Sequence, residues 1–566
     1  MNDKFYLTNE IAIINFDLAC PETKSGLIKT PGFKMLTLKY LDYLKHRDPD
    51  VYEWVLDGNS PEEAVDEILQ LLRTALVFDA SEIESKYLDG TDNILTFVDL
   101  YFDFWKAHDR YSVSTSKISI AGSTEYVDRD HTFNELVRNT FRTLEQSLTG
   151  KKIRVFRQQP SSTNGAISCY KAPNVGLSER YAFLKKTKFI DSIMLRTPML
   201  LHPKSNKREG LFKEVDRNPA YTFEGNTNEY FCFPAKVGSL LIDICFHRDY
   251  IANGISCANL FELATPQEAS QKPDGIVIFG NPDGLDECSF YHDWDEDVWI
   301  GSVSSNEKIE YFGYMKKMVL TIHNVIMLNK GWLPIHGAFI KVTLMNGLSK
   351  GICLMGDSGA GKSETIEAMK ALGNDRIKKI DVVFDDMGTF HVEDGVVYAQ
   401  GTEIGAFVRL DDLDAGAPYR DMNRSIFFNP EQINSRVITP AAPYKTVVSN
   451  HKIDLFAYAN NYEDCLGLRK IDDITAAKDI FVRGRRMAKG TTQEQGLSET
   501  YFANPFGPMQ MQEKCEPILD EVFATLEKNE TFIGEAFTHL GINPEGDDIN
   551  LAAQALLDFI ENGAEA

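Results

Sequence analysis

The residues with the clearest chemical meaning lie in a glycine-rich stretch near position 360. It fits the pattern Gly-x-x-x-x-Gly-Lys-Ser, with an apolar run before it at 352–355 and a helical run after it. Its glycines let successive backbone N–H groups point inward, at the positive end of the following helix. The stretch therefore predicts a loop that binds nucleotide phosphates. The predicted loop residues are Gly356, Asp357, Ser358, Gly359, Ala360, Gly361, Lys362 and Ser363.

Four side chains in and after this loop have defined chemistry in such a pattern. Lys362 would reach the β- and γ-phosphates, and the Ser363 hydroxyl would ligate Mg²⁺. Asp385 and Asp386 follow the apolar run 382–384, and we expect a strand that ends in this pair. Paired carboxylates after a strand commonly complete the protein ligands of a phosphate-bound divalent cation. The pattern predicts phosphate and metal binding without naming a reaction.

The elements around the loop must position these residues. An amphipathic helix is predicted between Tyr311 and Lys330, and it carries Lys316 and Lys317. Because adjacent helical residues are about 100° apart, we do not expect both lysines to point the same way. His336 follows this helix and precedes a predicted hairpin with strand 338–344 and an Asn-Gly turn. The hairpin would bring His336 toward the sheet end that carries Lys362.

Composition limits the class of protein. The chain has 566 residues, 43% hydrophobic and 25% charged, enough for two large domains or about three or four average ones. Its formal charge of −24 argues against a nucleic-acid partner, because nucleic-acid phosphates would be repelled. Nine cysteines without a Cys-x-x-Cys pair indicate reduced thiols. Without a signal-like N-terminus or an apolar run of about 18 residues, we predict a cytoplasmic protein with no membrane partner.

Two stretches of the N-terminal half are locally basic. The first includes Arg154 and Arg157, and the second runs from Arg196 to Arg208. Such stretches line the clefts of anionic substrates in some proteins and form solvated loops in others. The sequence leaves both alternatives open.

Several strings occur in the order seen in phosphoenolpyruvate carboxykinases, and the chain resembles the ATP-dependent branch of that family over roughly residues 300–510. The 488–491 and 502–507 strings also resemble the segment of that branch that binds the nucleotide base. The main strings are Tyr311-Phe-Gly-Tyr-Met-Lys-Lys, His336, Gly356-Asp-Ser-Gly-Ala-Gly-Lys-Ser, Asp385-Asp386, the strand with Glu403, Gly405 and Arg409, and Ser435-Arg436-Val-Ile-Thr-Pro.

The resemblance implies an α/β fold with an N-terminal α/β domain and a C-terminal mononucleotide-binding domain, in which the phosphate loop lies on a mixed sheet. We divide the chain into an N-terminal α/β region without a recognised motif (1–150), the rest of a substrate-side domain (151–330) and the nucleotide- and metal-binding domain (331–566). The site would lie in the cleft between the two domains.

The resemblance also implies two metal sites. Lys317, His336 and Asp386 would hold a catalytic Mn²⁺, and Ser363, with Asp385 acting through water, would hold the Mg²⁺ of the nucleotide. A lysine ligates a metal only when its pKa is depressed, which the charge of the neighbouring Lys316 would promote.

The same resemblance implies how the phosphates are handled. Arg436 would bridge the γ-phosphate and the substrate, and Arg409 would replace a lysine near the nucleotide phosphates. Lys362 and Arg436 would spread the charge of the transferring phosphoryl group. The implied catalytic residues are therefore Lys316, Lys317, Lys362 and Arg436.

Three departures from the family pattern keep alternatives open. The sequence of the phosphate loop and the His336-Gly337 pair are closer to those of HPr kinase/phosphorylases, which share the fold of this domain. Gln495 stands where an arginine would face the adenine, so GTP or pyrophosphate remain alternatives to ATP as donor. The Gly-Arg-Ser-Pro substrate string is absent from the first 220 residues. Substrate-binding replacements would be Arg154, Arg157 or Arg196, and no motif chooses among them.

Three functions follow from these observations. The first is metal-dependent decarboxylation of oxaloacetate with phosphoryl transfer from ATP, giving phosphoenolpyruvate and CO₂, a reaction of gluconeogenesis. The second is a kinase of the HPr kinase type acting on a protein or small-molecule hydroxyl, with Asp385 or Asp386 as general base. The third, a nucleotide-sensing regulator, would keep Lys362 but has no use for Arg436.

Overall fold

The computed structural model of the protein describes residues 5–8, 11–16, 18, 20–89, 91–113, 125–152, 154–158, 165–196, 199–203, 210–357, 359–373, 375–409, 425–428, 435–489, 495–543 and 546–563. The chain forms two compact units, Met1–Ile153 and Arg154–Ala566. Helices and several mixed sheets make up the described residues, so the prediction of an α/β protein is confirmed.

The first unit combines a small sheet with helices. Its strands β1 (Phe5–Leu7), β2 (Ile11–Asn15) and β3 (Asp109–Val113) pair in that order, β1 antiparallel and β3 parallel to β2. Stacked Tyr40 and Tyr101 rings lie in its apolar core. Its helices are α1 (Lys24–Ile28), α2 (Pro31–Arg47), α3 (Pro49–Leu56), α4 (Pro61–Ala75), α5 (Thr91–Ala107) and α6 (Glu125–Thr149).

The start of α4 shows how local sequence sets a helix boundary. Pro61 occupies the first turn, as predicted, where its missing N–H has no partner to lose. The Ser60 hydroxyl accepts from the Glu63 backbone N–H, and the Glu63 carboxylate accepts from the Ser60 N–H. This reciprocal capping satisfies two backbone donors that the helix itself cannot.

A ten-stranded mixed sheet forms the first half of the second unit. Its order is β4-β6-β9-β10-β12-β14-β13-β8, with β5 added to β6 and β11 to β9. The strands β12 and β14 are buried along their whole length, as expected for a sheet covered on both faces. The elements of this half are β4 (Val155–Gln158), β5 (Gly165–Lys171), β6 (Lys188–Arg196), β7 (Met199–Leu201), β8 (Lys213–Glu214), β9 (Tyr230–Val237), β10 (Leu240–His247), α7 (Ile251–Ser256), β11 (Glu262–Leu263), β12 (Gly275–Asn281), β13 (Cys288–Asp293) and β14 (Val298–Ser304).

An eight-stranded mixed sheet dominates the second half of this unit. Its order is β22-β18-β17-β15-β16-β23-β27-β24. A four-stranded sheet, β19-β21-β20-β7, and the hairpin β25-β26 are separate from it. The elements are α8 (Phe312–Asn329), β15 (Leu333–Leu344), β16 (Ser349–Met355), α9 (Lys362–Leu372), β17 (Ile377–Glu393), β18 (Val396–Gly401), β19 (Gly405–Arg409), β20 (Ser425–Phe428), β21 (Ser435–Pro440), α10 (Tyr444–Val447), β22 (His451–Lys452), β23 (Leu455–Asn460), β24 (Gly467–Lys470), α11 (Ile474–Arg483), β25 (Arg485–Lys489), β26 (Gln495–Glu499), α12 (Gln512–Lys528), β27 (Phe532–Phe537) and α13 (Ile549–Asn562).

Helix α8 lies between the two large sheets. Its position agrees with the predicted helix, but nearly every residue is buried, so it is not exposed along one face as an amphipathic helix would be. Its side chains pack so closely on β14 that a Cβ at Gly301 would lie 2.7 Å from Met318 Sδ. On its other side Asn324 donates to the Phe506 carbonyl over 2.6 Å. The helix therefore holds its lysines in a fixed place inside the unit.

The hairpin β15–β16 and the strand β17 differ from prediction in length. The predicted turn at Asn346 and Gly347 is present, with Gly347 at φ +85°. However, β15 begins earlier than predicted and includes His336, and β17 continues seven residues past Asp386 to Glu393. The expectation that the strand ends in the aspartate pair is therefore wrong. Continued pairing with β15 and β18 extends the strand, and it places Asp386 opposite Gly337.

Candidate functional site

The glycine-rich loop, residues 356–361, joins β16 to the N-terminus of α9. Gly361 has φ +100°, and a Cβ there would lie 2.7 Å from Thr538 Cβ, so glycine is needed both for the turn and for the packing. Lys362 Nζ donates to the carbonyl oxygens of Gly356 at 2.6 Å and Asp357 at 3.1 Å. Ser358 lies outside the described residues. Two carbonyl groups of the loop therefore accept hydrogen bonds from the ammonium group of Lys362.

The first aspartate of the pair contacts the loop directly. Ser363 Oγ donates to Asp385 Oδ1 over 2.9 Å. Burial raises the pKa of Asp385, although the Ser363 hydrogen bond and the Lys362 charge oppose the rise. The predicted partners of a nucleotide-bound cation therefore lie together, one on α9 and one on β17.

The second aspartate is the centre of a buried charge cluster. Asp386 Oδ2 lies 2.7 Å from Lys316 Nζ and 2.8 Å from Lys317 Nζ, and Asp386 Oδ1 lies 3.1 Å from His336 Nε2. Lys316 Nζ also lies 3.1 Å from Glu403 Oε1. Lys316, His336 and Glu403 are almost fully buried, whereas Lys317 and Asp386 keep 15% and 18% of their side-chain surface exposed.

The two lysines converge, contrary to the expectation that they point apart. Their backbone positions are separated on the helix as predicted, but each side chain has four methylene groups between backbone and ammonium group. This reach spans the angle between Lys316 and Lys317, so both ammonium groups meet one oxygen of Asp386. Helical periodicity places a Cβ atom and does not by itself place the end of a long side chain.

Opposite charges set the protonation of this cluster. Burial alone would raise the pKa of Asp386, but the ammonium groups of Lys316 and Lys317 outweigh it and hold that pKa well below its usual range. Burial would lower the pKa of Lys316, yet Asp386 and Glu403 raise it above the ordinary value. Burial raises the pKa of Glu403 to about 7. With Glu403 only partly ionised at neutral pH, the cluster carries a net positive charge.

The orientation of His336 makes it suitable as a metal ligand. A carbonyl oxygen only accepts, so the 2.6 Å contact between His336 Nδ1 and Ala503 O places the proton on Nδ1. Nε2 is buried, lies 3.1 Å from Asp386 Oδ1 and has no aligned hydrogen-bond partner among the described residues. Lys317 Nζ contacts the other oxygen of the same carboxylate. An imidazole nitrogen, a carboxylate and an amine therefore fit a divalent cation, provided that Lys317 releases its proton and His336 carries none on Nε2.

Other metal-site geometries are not apparent in the part of the chain that the structure describes. No group of three or more His, Cys, Asp or Glu side chains there is arranged to hold a metal ion. The predicted set has only two ligands of those types, His336 and Asp386, because its third member is Lys317.

The two predicted phosphate-binding arginines lie opposite each other on neighbouring strands. Arg409 on β19 pairs with Arg436 on β21, two residues along from the pair Phe407 and Ile438. The centre of the Phe407 ring lies 5.5 Å from Lys316 Nζ, so this sheet adjoins the charge cluster. Arg436 is half-buried, and the side chain of Arg409 lies outside the described residues. Two cations directly opposite each other are unfavourable unless an anion or another charge offsets them.

Of the predicted substrate arginines, the structure describes the side chain of Arg154, whose hydrogen bonds and ion pair lie outside this cluster. The Arg154 guanidinium donates to the Ala264 and Ile190 carbonyls and lies 3.6 Å from Asp191. Those contacts stabilise the region of β4 and β6. The side chains of Arg157, Arg196 and also Gln495 lie outside the described residues.

Several site residues were missed because distant segments supply them. Asn461 Nδ2 donates to Gly359 O, and Thr538 Oγ1 donates to Ala360 O, so the residues that directly follow β23 and β27 fix the glycine-rich loop. Arg486 on β25 forms an ion pair with Asp357. These residues carry no local motif, and the parallel pairing of β16, β23 and β27 brings the segments of Asn461 and Thr538 to the loop. Glu403 stood out in the sequence as part of the string with Gly405 and Arg409, but without a role at the site.

Comparison of the chain with models of protein families and with curated proteins finds no match. Among the described residues, none of the helices is long and apolar enough to cross a membrane.

Proposed function

We propose that the protein is a phosphoenolpyruvate carboxykinase-like enzyme that decarboxylates oxaloacetate and transfers a phosphoryl group to the product enolate. One observation carries the proposal: adjacent aspartates serve two groups of residues at once. Asp385 accepts a hydrogen bond from Ser363 on α9. Asp386 is in close contact with Lys316, Lys317 and His336. A loop for phosphates and a cationic cluster for a small anion are thus held within one residue of each other on β17.

The glycine-rich loop would bind the phosphates of the donor. Its backbone N–H groups and the N-terminus of α9 supply partial positive charge, and Lys362 supplies a full one. To reach the phosphates, Lys362 Nζ would leave the carbonyls of Gly356 and Asp357 that it now contacts. The Asp385 carboxylate and the Ser363 hydroxyl suit the Mg²⁺ of a nucleotide. ATP, GTP and pyrophosphate all present the phosphate chain that this arrangement recognises.

The charge cluster would bind the carboxylates and keto group of oxaloacetate. Its net positive charge attracts the dianion, and its burial strengthens that attraction because water screens it poorly. A divalent cation held by Lys317, His336 and Asp386 would supply Lewis acidity toward the keto oxygen. Lys316, fixed between Asp386 and Glu403, would retain its proton and remain a cation throughout.

The proposed reaction has two steps, decarboxylation and phosphoryl transfer. The C–C bond to the departing CO₂ breaks, and its electron pair moves onto the former keto oxygen to give an enolate. That oxygen then forms a bond to the γ-phosphorus while the bond from phosphorus to the leaving diphosphate breaks. Lys362 and Arg436 would offset the charge on the transferring phosphoryl group. Closing the site against water would prevent protonation of the enolate to pyruvate.

The electrostatics favour this function over a kinase that acts on a hydroxyl. Such a kinase needs a carboxylate that accepts a proton from the hydroxyl. Asp386, whose pKa Lys316 and Lys317 hold well below the usual range, is a poor base. Asp385, whose pKa burial raises, accepts a hydrogen bond from Ser363 and would be occupied by the Mg²⁺ of the nucleotide. A lysine pair on one carboxylate instead suits a site that must stabilise negative charge.

The direct test is an assay with purified protein, oxaloacetate, Mn²⁺, Mg²⁺ and ATP, GTP or pyrophosphate in turn, with phosphoenolpyruvate as the measured product. We expect Lys317→Ala and His336→Ala each to reduce its formation by at least about a hundredfold while nucleotide binding changes little. Lys330→Ala is the matched control, since this exposed lysine caps the C-terminus of the same helix. Full turnover in both site variants, or phosphorylation of a hydroxyl without decarboxylation, would refute the proposal.

A further inference from the structure

A buried ion pair joins the glycine-rich loop to the strand β25. Arg486 Nε donates to Asp357 Oδ2 over 2.7 Å, although the two residues are 129 positions apart in the chain. The side chains keep only 5% and 12% of their surface exposed. The reaction proposed above assigns no role to either charge.

Asp357 brings a negative charge to the place where phosphates are proposed to bind. Its backbone carbonyl already contacts Lys362 Nζ at 3.1 Å, so its residue adjoins the lysine that would hold the phosphates. In a buried site a carboxylate repels an anion strongly, since little water screens the two charges. Arg486 lies against that carboxylate and cancels its charge. On the other side His336 Nδ1 lies 3.8 Å from Asp357 Oδ1, but its proton is directed to the Ala503 carbonyl.

The neighbour of Arg486 makes a second connection between β25 and the loop. Asn461 Nδ2 donates to Gly359 O at 3.1 Å and to Met487 O at 3.0 Å, and the Met487 N–H donates to Asn461 Oδ1 at 2.8 Å. Arg486 therefore holds Asp357 by an ion pair, and Met487 is linked to Gly359 through the Asn461 side-chain amide. Both contacts tie the loop to β25.

We propose that Arg486 is a positioning residue of the phosphate site, which neutralises Asp357 and holds the loop against β25 so that the loop accepts a polyphosphate. The inference rests on the proposed function in one respect, that the anion is the phosphate chain of a nucleotide or of pyrophosphate. It assigns Arg486 no contact with the anion.

Two single variants should change anion affinity in opposite directions. Arg486→Met removes the guanidinium that lies against the buried Asp357 carboxylate, and we expect binding of MgATP and of inorganic tripolyphosphate to weaken by at least about tenfold. Asp357→Asn removes the repulsion and leaves the Arg486 charge, so affinity should rise even though the protein becomes less stable. The double variant should return to within about threefold of the wild type, because neither charge remains. Calorimetric titration of the full-length protein measures all four affinities.

Two further variants separate positioning from folding. Arg485→Met is the matched control on the same strand; its partner Glu499 lies in an exposed ion pair, and anion affinity should stay within about twofold of wild type. Arg486→Lys keeps the charge without the planar fork, so it should lose less affinity than Arg486→Met. Thermal unfolding of each variant reports stability. A purely structural role would lower stability and affinity together, including in Asp357→Asn.

The proposal is wrong if the double variant binds as weakly as Arg486→Met, since Arg486 would then contact the anion itself, or if Asp357→Asn also weakens binding. Unchanged affinity in Arg486→Met, with normal binding by the wild type, overturns this inference and leaves the proposed function standing. Failure of the wild type to bind either probe overturns both.

Discussion

Two acidic side chains in the interior of the second unit differ in charge state. Asp386 is surrounded by Lys316 and Lys317, which hold its pKa well below the usual range despite burial. Asp243, in the middle of β10, has no partner for either carboxylate oxygen among the described residues, and burial raises its pKa to about 8. The same desolvation acts on both, so the presence of a cation decides which form is stable. Asp386 is therefore ionised, whereas Asp243 is mostly protonated and neutral below about pH 8.

Asp243 makes stability depend on pH in a direction opposite to that of most carboxylates. Its pKa is raised on folding, so the folded state holds the proton from about pH 4 to about pH 8 while the unfolded state does not. Its stabilising contribution is complete below about pH 4 and is lost as the pH rises toward 8, by at most about 1.4 kcal/mol per pH unit. Asparagine resembles the neutral acid in shape and does not ionise. We therefore expect Asp243→Asn to match the wild type near pH 4 and to be increasingly more stable toward pH 8.

Urea unfolding of both proteins at pH 5, 6, 7 and 8 tests this prediction. The free-energy difference between variant and wild type isolates Asp243, because every other titrating group is common to both. Asp249→Asn serves as the control, since this exposed acid follows β10 closely and lies beside His247. A constant difference across the pH range would show that Asp243 is ionised or hydrogen-bonded in the folded protein.

At the scale of elements, the sequence predicted those whose signals are local. The helix α8, the Asn346–Gly347 turn and the strand–loop–helix order around Gly356–Gly361 all depend on residues close together in the chain. The end of β17 was predicted wrongly because pairing with β15 and β18, rather than its own residues, extends the strand past Asp386. Supporting residues such as Asn461 are set by sheet order, which no local pattern specifies.

The glycine-rich loop illustrates how one element depends on another. Gly361 adopts φ +100°, and the side chain of Thr538 on the segment after β27 fills the space where a Cβ would lie. We expect Gly361→Ala to reduce nucleotide affinity at least about tenfold, since the strained backbone and the clash both displace the loop N–H groups. Titration calorimetry with MgATP measures this effect.

Gly347→Ala is the control for backbone strain alone. Gly347 also has a positive φ, +85°, but nothing lies within 4 Å of a Cβ built there. It should lose about 1 kcal/mol of stability without a change in nucleotide affinity. Equal affinities in Gly361→Ala and the wild type would show that the loop does not bind the nucleotide or tolerates the displacement.

At the scale of the whole molecule, each of the two units has apolar cores of its own, one in the first unit and three in the second among the described residues. The core of the first unit draws its residues from positions 7–148, with Leu72 fully buried within it. The large core of the second unit draws from positions 190–533, with Leu519 fully buried. Every residue of the candidate site belongs to the second unit. Because the chain divides into two compact units and the core of the first shares no residue with those of the second, we expect two unfolding transitions in calorimetry, and a multidomain chain commonly behaves so.

A ligand of the glycine-rich loop should then move only one of the two transitions. Binding to the folded state stabilises the unit that binds by RT ln(1 + [L]/Kd), about 2.7 kcal/mol at a hundredfold excess over Kd. MgATP should therefore raise the transition of the second unit and leave the other in place. Leu519→Ala and Leu72→Ala assign the transitions, since each removes buried contacts worth about 2–5 kcal/mol from one core only. A single transition, or two that MgATP raises equally, would mean that the two units unfold as one cooperative structure and that ligand binding stabilises the entire chain.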